Sequence, residues 1–374
     1  MIVYSVLTLV TVLLSLMINR ENIKIRYGYS KQQTINGLVL VCLFLALFTV
    51  SALRLNVGND YAQYVEYFHL IRCKLVTETV VPTEPGFNLV CIIIYVLSGF
   101  NENYLLMFAV FAAVTLFLFL RAMYRQSEWF FMSFFLFMTL GCYFQTFSTI
   151  RYYFALAIAV ASIPLVLRKE WIKFIVVILV GATFHKSLLI VIPFYFLAQI
   201  RWKSYMLVLA AAFCSTFFFF KDFYMKLFLY IYPTYEETEY LDGGTSIINI
   251  VRCVAVLMLA LCLFKSHVKN DRKLLFYFYC NLGALVLYTC CSFLPSISRM
   301  GYYLNITQIL FIPALIKRIE NKTVRRVVTG GVIVVAILYF GMFLVTKAPA
   351  DGLRILPYQT FLYHDMVPIL SMVS

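Results

Sequence analysis

Along the chain, long uninterrupted apolar runs alternate with short polar turns. Runs long enough to cross a bilayer, or nearly so given the ~20 residues a crossing takes, fall at 2–19, 35–53, 104–120, 129–147, 150–167, 204–220, 247–264, 274–292, 300–316 and 327–346. The run 172–199 is too long for one crossing and is interrupted by Thr183-Phe184-His185-Lys186-Ser187, which predicts two short helices meeting at a polar tip. Residues 87–97 are too few to cross and predict a re-entrant or interfacial helix. The runs lack the strict alternation of a barrel strand, and lipid admits only segments whose backbone hydrogen bonds close internally. The pattern therefore predicts an all-α polytopic integral membrane protein with about 12 transmembrane helices and a short extra helix near 87–97. Residues 1–374 read as a single multi-spanning membrane domain. The first run, Ile2–Ile18, has no basic segment before it and no small-residue cleavage site after it, so it reads as a retained span.

Composition agrees. With 63% hydrophobic and 13% charged residues, the chain is not an ordinary soluble enzyme, and its 36 Phe and 27 Tyr exclude a disordered one. A net charge of +14 would suggest nucleic acid in a soluble protein. Here the loops 20–34, 121–128, 168–173, 201–203, 265–273 and 317–326 hold 20 of the 31 Lys and Arg but only 5 of the 17 Asp and Glu. That is the bias of cytoplasmic loops, so no nucleic-acid partner is expected. Taking 87–97 as re-entrant puts all six loops on one side and both termini outside. The longest polar stretches then form outer-face loops at 54–86 and 222–246. The ten Cys sit mostly within apolar runs without a C-x-x-C, and predict neither disulfides nor a metal site.

Ionisable groups beside or inside spans are costly and mark function by default. Five places stand out: Arg54 to Asp60-Tyr61, Glu84-Pro-Gly-Phe87, Arg151 in Phe147-Ser-Thr-Ile-Arg-Tyr-Tyr153, His185-Lys186, and Arg299 in Ser296-Ile-Ser-Arg-Met-Gly-Tyr302. The topology, drawn from other loops, puts all five on the outer face. Arginines converging beneath an outer cavity suit an anion with several oxygens, such as a phosphate or pyrophosphate. Asp60, Glu84 and His185 add proton acceptors. Structural readings compete at each place. Arg54 and Arg299 suit headgroup snorkelling, Asp60 suits an ion pair with Arg54, and Glu84-Pro-Gly suits a helix start. His69, His267 and His364 read as loop and surface residues. No phosphate-binding loop, H-E-x-x-H, nucleophile elbow or D-x-D pair occurs, so an enzyme here needs a lipid-borne, pre-activated donor and no cofactor.

These segments resemble the EpsG-type branch of the Wzy-like bacterial polysaccharide polymerases. The resemblance rests on Arg54-x-x-Val-Gly-x-Asp-Tyr61 with Tyr64, Glu84-Pro-Gly-Phe87, Ile150-Arg151 leading into Phe154-Ala155-Leu-Ala157, Phe184-His185-Lys-Ser187, and Ser298-Arg299 with Tyr302. It implies a metal-independent glycosyltransferase at the outer, periplasmic face of the bacterial inner membrane. Donor and acceptor would both be oligosaccharides linked to undecaprenyl pyrophosphate, which leaves as the chain grows; a chain-length regulator is a further partner class. Arg151 and Arg299 would stabilise the leaving pyrophosphate, with Arg54 assisting. Asp60, Glu84 and His185 compete to accept the hydroxyl proton. Arg54, Tyr61, Tyr64, Tyr152, Lys186 and Tyr302 would bind substrate. Capsule, O-antigen and exopolysaccharide products all suit this chemistry.

Two other functions compete. An O-antigen ligase uses the same donor, but its longer late outer loop is not matched by 222–246. A transporter or flippase of lipid-linked sugars would carry charge along several spans, and the inner halves of these spans are nearly free of it.

Overall fold

The computed structural model describes residues 1–19, 31–71, 84–231, 244, 246–295 and 297–363. Among them the regular structure is helical, with one isolated antiparallel bridge between Arg54 and Thr360. The early helices are α1 (Ile2–Ser15), α2 (Lys31–Ala52), α3 (Tyr61–Ile71), α4 (Pro85–Leu97) and α5 (Tyr104–Gln126). Next come α6 (Phe130–Thr139), the single turn α7 (Cys142–Gln145), α8 (Ile150–Leu167) and α9 (Trp171–Ala182). A 3-10 turn (Lys186–Ile190) leads to α10 (Val191–Gln199), then α11 (Ser204–Phe219) and α12 (Lys221–Ile231). The chain ends with α13 (Ile247–Cys262), α14 (Arg272–Cys290), α15 (Ile297–Asn305), α16 (Gln308–Lys317) and α17 (Lys322–Met342).

Helix α1 is built inside-out relative to a helix of a soluble protein. Helix α1 buries Tyr4, Thr8, Thr11 and Ser15, one residue per turn, and exposes Val3, Val6, Leu9, Val10 and Leu13. Small and polar residues facing protein and aliphatic residues facing outward are what lipid solvation selects, since aliphatic chains gain nothing by leaving lipid. The apolar helices make this a membrane protein.

Among the described residues five helices are long and apolar enough to cross: Lys31–Ala52, Tyr104–Gln126, Ile150–Leu167, Arg272–Cys290 and Lys322–Lys347. A sixth is added if the bent pair α11–α12 counts as one span. The expectation of about twelve thus rests elsewhere on shorter or broken helices. The run 129–147 divides into α6 and α7 around Gly141, whose φ of 74° is left-handed. The run 300–316 divides into α15 and α16 at Ile306-Thr307. The break at Gly141 lies in a stretch that stays largely apolar on both sides, whereas the second falls at Asn305-Ile306-Thr307-Gln308, where polar residues interrupt the run. The expected two halves of 172–199 are α9 and α10, and the expected short helix is α4, one residue pair longer at its start.

Contacts divide the chain into two compact units. The first comprises Met1–Ala161, Val176–Leu188 and Asn321–Ser374. Within it α2 buries Val39, Leu43 and Leu47, spaced one turn apart, and packs against α5. The segment after α17 returns as a strap across the loop that follows α2. Leu55 N donates to Gln359 O, Gly58 N to Arg354 O, Asn59 N to Leu353 O and Phe361 N to Leu53 O, at 2.8–3.3 Å. Tyr4 and Tyr358 hydroxyls donate to Ile355 O and Val50 O. Gly58 has φ 114°, and a Cβ there would collide with the Phe147 carbonyl, so only glycine lets the loop seat this closely.

The second unit comprises Ser162–Ile175 and Leu189–Glu320. Its core joins α13, α14 and α16 through buried amides: Gln308 Nε2 donates to Asn281 Oδ1 at 2.7 Å, and Asn281 Nδ2 to Cys253 O at 3.0 Å. Such interhelical amide bonds take the place of a hydrophobic driving force in lipid.

Candidate functional site

In the first unit Pro85 opens α4 at the position where its missing N–H costs nothing. Glu84 precedes it but does not cap the helix with its side chain. That carboxylate is turned instead toward two partners distant in sequence. Its Oε2 accepts from Arg151 Nη1 at 2.5 Å, and its Oε1 accepts from His185 Nδ1 at 2.8 Å and from the Lys186 amide at 3.4 Å. Close seating of α4 makes this possible. Gly86 N donates to Thr183 O at 2.9 Å, and a Cβ on Gly86 would strike the Thr183 hydroxyl and the Phe184 ring. The tip between α9 and α10 is thereby pinned to the start of α4, which puts His185 on Glu84.

Arg151, in the first turn of α8, is roofed by rings. Its guanidinium carbon sits 5.2 Å from the Phe87 centroid, 5.3 Å from Tyr64 and 5.5 Å from Tyr67, within cation–π range. Its Nε is buried without a protein partner. The Tyr152 ring stands edge-on to His185 at 5.7 Å. Side-chain exposures are 4% for Glu84, 14% for Arg151 and 16% for His185. The carboxylate is thus sealed, while its two partners keep an edge toward solvent.

Burial alone would raise the Glu84 carboxyl. The His185 hydrogen bond, the Arg151 charge and the Lys186 amide outweigh it and hold the group below the usual carboxylate range. Glu84 is therefore an ionised acceptor. The His185 proton facing it must be on Nδ1, which in the neutral ring leaves the Nε2 lone pair available to accept.

Arg54 occupies a different niche of the same unit. It is 1% exposed, donates through Nη1 to the carbonyl and hydroxyl oxygens of Ser51, and leaves Nε and Nη2 without partners. Phe108 and Phe147 lie 4.8 and 5.2 Å from its guanidinium carbon. Burial lowers its pKa to about 10. Ser51, Arg54, Thr115 and Thr146 line a cavity of about 10 Å³, about the size of one water. Tyr61 stacks on Phe108 at 4.4 Å, and Tyr64 meets the same ring edge-on at 6.4 Å. Two rings in contact, Phe108 against Arg54 and Tyr64 against Arg151, therefore connect the two guanidinium groups. Asp60 is half-buried just before α3.

The second unit carries Arg299, exposed on α15, and Tyr302, buried on the same helix. Gly301 between them packs on the Tyr288 ring, where a Cβ would come within 2.7 Å. Ser296, His364, Cys73 and the parts of the expected outer loops at 72–83, 232–243 and 245 lie outside the described residues. His69 is half-exposed and bonds Glu102 at 2.9 Å, and His267 faces Glu320 at 3.6 Å.

The structure thus brings Glu84, Arg151, His185, Lys186, Tyr64 and Tyr152 together. Sequence reasoning missed two features. Tyr67 roofs Arg151 one residue triplet beyond Tyr64. Arg252, inside α13, donates to Asn249 Oδ1 at 3.1 Å, and Asn305 Nδ2 reaches the same oxygen at 3.2 Å. The signal for Arg252 was present, since it is a cation within the apolar run 247–264.

Compared with known proteins, the chain matches the sequence model described as the EpsG family over residues 37–360. No curated protein and no solved structure matches it.

Proposed function

The chain belongs to the EpsG family, and from that premise we propose that it is a polysaccharide polymerase, a glycosyltransferase joining oligosaccharide units carried on undecaprenyl pyrophosphate. On this reading a hydroxyl of the acceptor sugar attacks C1 of the donor sugar. The new C1–O bond forms as the bond from C1 to the pyrophosphate oxygen breaks, and undecaprenyl pyrophosphate departs with the electron pair. The hydroxyl proton passes to His185 Nε2, and the imidazolium so formed is balanced by the ionised Glu84.

The single observation that carries this reading is the Glu84 carboxylate held between Arg151 and His185. One acid orients both groups the reaction needs, a cation for the leaving pyrophosphate and a base for the attacking hydroxyl. Both oxygens of Glu84 are occupied, which suits a positioning residue and argues against Glu84 itself as the base. Asp60 is the competing base. Arg151 stabilises charge as it develops on the leaving oxygen, the largest requirement when the leaving group is a pyrophosphate. Its ring roof excludes water and strengthens that interaction. Tyr64, Tyr152 and Lys186 are proposed to contact substrate, as are Tyr61, Tyr302 and the outer loops 54–86 and 222–246. Arg299 is proposed as a phosphate ligand in its own right, and Arg54 as a buried support for the loop leading to Asp60.

We place the reaction without a metal, at the periplasmic face of the bacterial inner membrane, in a fold of about 12 crossings. The test is to supply a lipid-linked repeat unit with EDTA present and count undecaprenyl pyrophosphate released per glycosidic bond formed. One released per bond supports the reading. Bonds formed to a lipid A core alone would make the protein a ligase, and movement of substrate without bond formation would make it a transporter.

A further inference from the structure

Helices α11 and α12 meet at 86° across Phe220. Helix α11 has no buried residue, and its 16 residues make a rod about 24 Å long, close to the ~30 Å of a hydrocarbon core. Arg201 and Lys203 stand before it and Lys221 after it. Cations at both ends of a bare apolar helix mark the two interfaces it reaches. Helix α12 therefore begins at an interface and runs across the direction of a lipid-exposed helix.

At about 100° per residue, α12 divides into three sectors. Tyr224 and Phe228 face protein: the Tyr224 hydroxyl shares a 2.8 Å hydrogen bond with Thr216, its ring packs 4.3 Å from Phe217 on α11, and Phe228 is buried. Phe223, Leu227 and Tyr230 form a second stripe, 62%, 46% and 87% exposed. Asp222 and Lys226, both exposed, form a third beside it. A soluble surface would not keep three such large apolar side chains bare along one stripe. A transmembrane segment would not place a lysine and an aspartate together on its open side.

We infer that α12 is an interfacial helix docked on the phospholipid headgroup layer, with Phe223, Leu227 and Tyr230 in the acyl boundary and Asp222 and Lys226 in the aqueous headgroup zone. Tyr230 suits this depth, its ring among the lipids and its hydroxyl among the headgroups. The first part of the stretch 222–246 is then a membrane-seated shelf at the headgroup layer. This inference rests on the membrane character of the chain and not on the polymerase reading.

The test places a ketone-bearing residue at 222, 223, 226, 227 or 230, one at a time, and attaches a nitroxide there, leaving the native cysteines untouched. The full chain is held in nanodiscs of phosphatidylethanolamine and phosphatidylglycerol. Power saturation compares collisions with oxygen, which concentrates in lipid, and with a nickel chelate, which stays in water. Labels at 223, 227 and 230 are expected to favour oxygen several-fold, and labels at 222 and 226 to favour nickel. Oxygen preference at all five positions would overturn the inference in favour of a broken span or re-entrant loop. Nickel preference at all five would overturn it in favour of a solvated helix, and shielding of 223, 227 and 230 from both would make the stripe a protein interface.

Discussion

His185 Nδ1 stands 2.8 Å from Glu84 Oε1, across 101 residues of sequence. Because the carboxylate is ionised and sealed, this bond fixes which ring nitrogen carries the proton and which is left to act. Replacing His185 with Gln keeps a donor to Glu84 while removing the proposed Nε2 base. Bond formation is expected to fall by about 10²–10⁴-fold, the ordinary worth of a positioned base. Asp60→Asn, by contrast, is expected to leave most of the rate in place. A rate retained in H185Q and lost in D60N would move the base to Asp60.

Arg151 should separate charge from shape. Arg151→Lys keeps a cation beside Glu84 but loses the planar fork that holds a carboxylate and a phosphate oxygen at once. Arg151→Ala also leaves Glu84 buried without its main counter-charge, at a cost of about 3–5 kcal/mol in stability. The lysine variant is therefore expected to fold with near-native thermal stability and lose activity by ~10²-fold or more. The alanine variant should lose both. Thermal unfolding followed by intrinsic fluorescence, alongside polymer length, distinguishes the two effects.

Glu84 titrates below the ordinary carboxylate range, so the folded chain holds fewer protons on this group than the unfolded chain does in that range. Its contribution to stability is complete above the usual carboxylate pKa and is lost as pH falls through the lower, folded value. The stability gap between the native protein and Glu84→Gln should narrow as pH falls below the ordinary carboxylate range, about pH 5 and under. A gap that stays constant down to pH 3 would contradict the ionised bridge.

Two glycines carry the seating of the site. At Gly58 an added Cβ meets the fixed Phe147 carbonyl, in a left-handed conformation, and Gly58→Ala should destabilise by about 1–3 kcal/mol. At Gly86 the obstacle is the Thr183 hydroxyl, and relief would move the hairpin tip that carries His185. Gly86→Ala is expected to depress activity more than stability, and Thr183→Ala in the same chain to restore part of it. Paired melting and activity measurements on the single and double variants check this.

Much of this arrangement was legible in the sequence because its parts break the lipid rule. Arg151 at the start of a span, Glu84 before Pro-Gly and His185 at a hairpin tip are polar groups where apolar ones are cheaper. What the sequence did not carry was their mutual distance, which depends on Gly86 meeting Thr183. The burial of Arg54 was also hidden, since it depends on the strap at 353–361 returning over the loop after α2. The break at Gly141 interrupts a helix inside a largely apolar run, so counting runs does not find it, whereas the break at Ile306-Thr307 was written in the polar residues Asn305, Thr307 and Gln308 within the run 300–316. Arg252 was readable and overlooked, a lone cation in an apolar run with its Asn249 partner one turn away.

On the proposed function, one carboxylate positions an arginine and a histidine for transfer from a lipid pyrophosphate. The most direct measurement is a gel of products made by purified protein in nanodiscs from an undecaprenyl-pyrophosphate-linked repeat unit, with EDTA present. The native chain is predicted to give a ladder of increasing length, and Arg151→Lys, Glu84→Gln and His185→Gln each to collapse it to the shortest products. A full-length ladder from Arg151→Lys, or no ladder from the native chain with its cognate repeat unit confirmed present, would contradict it.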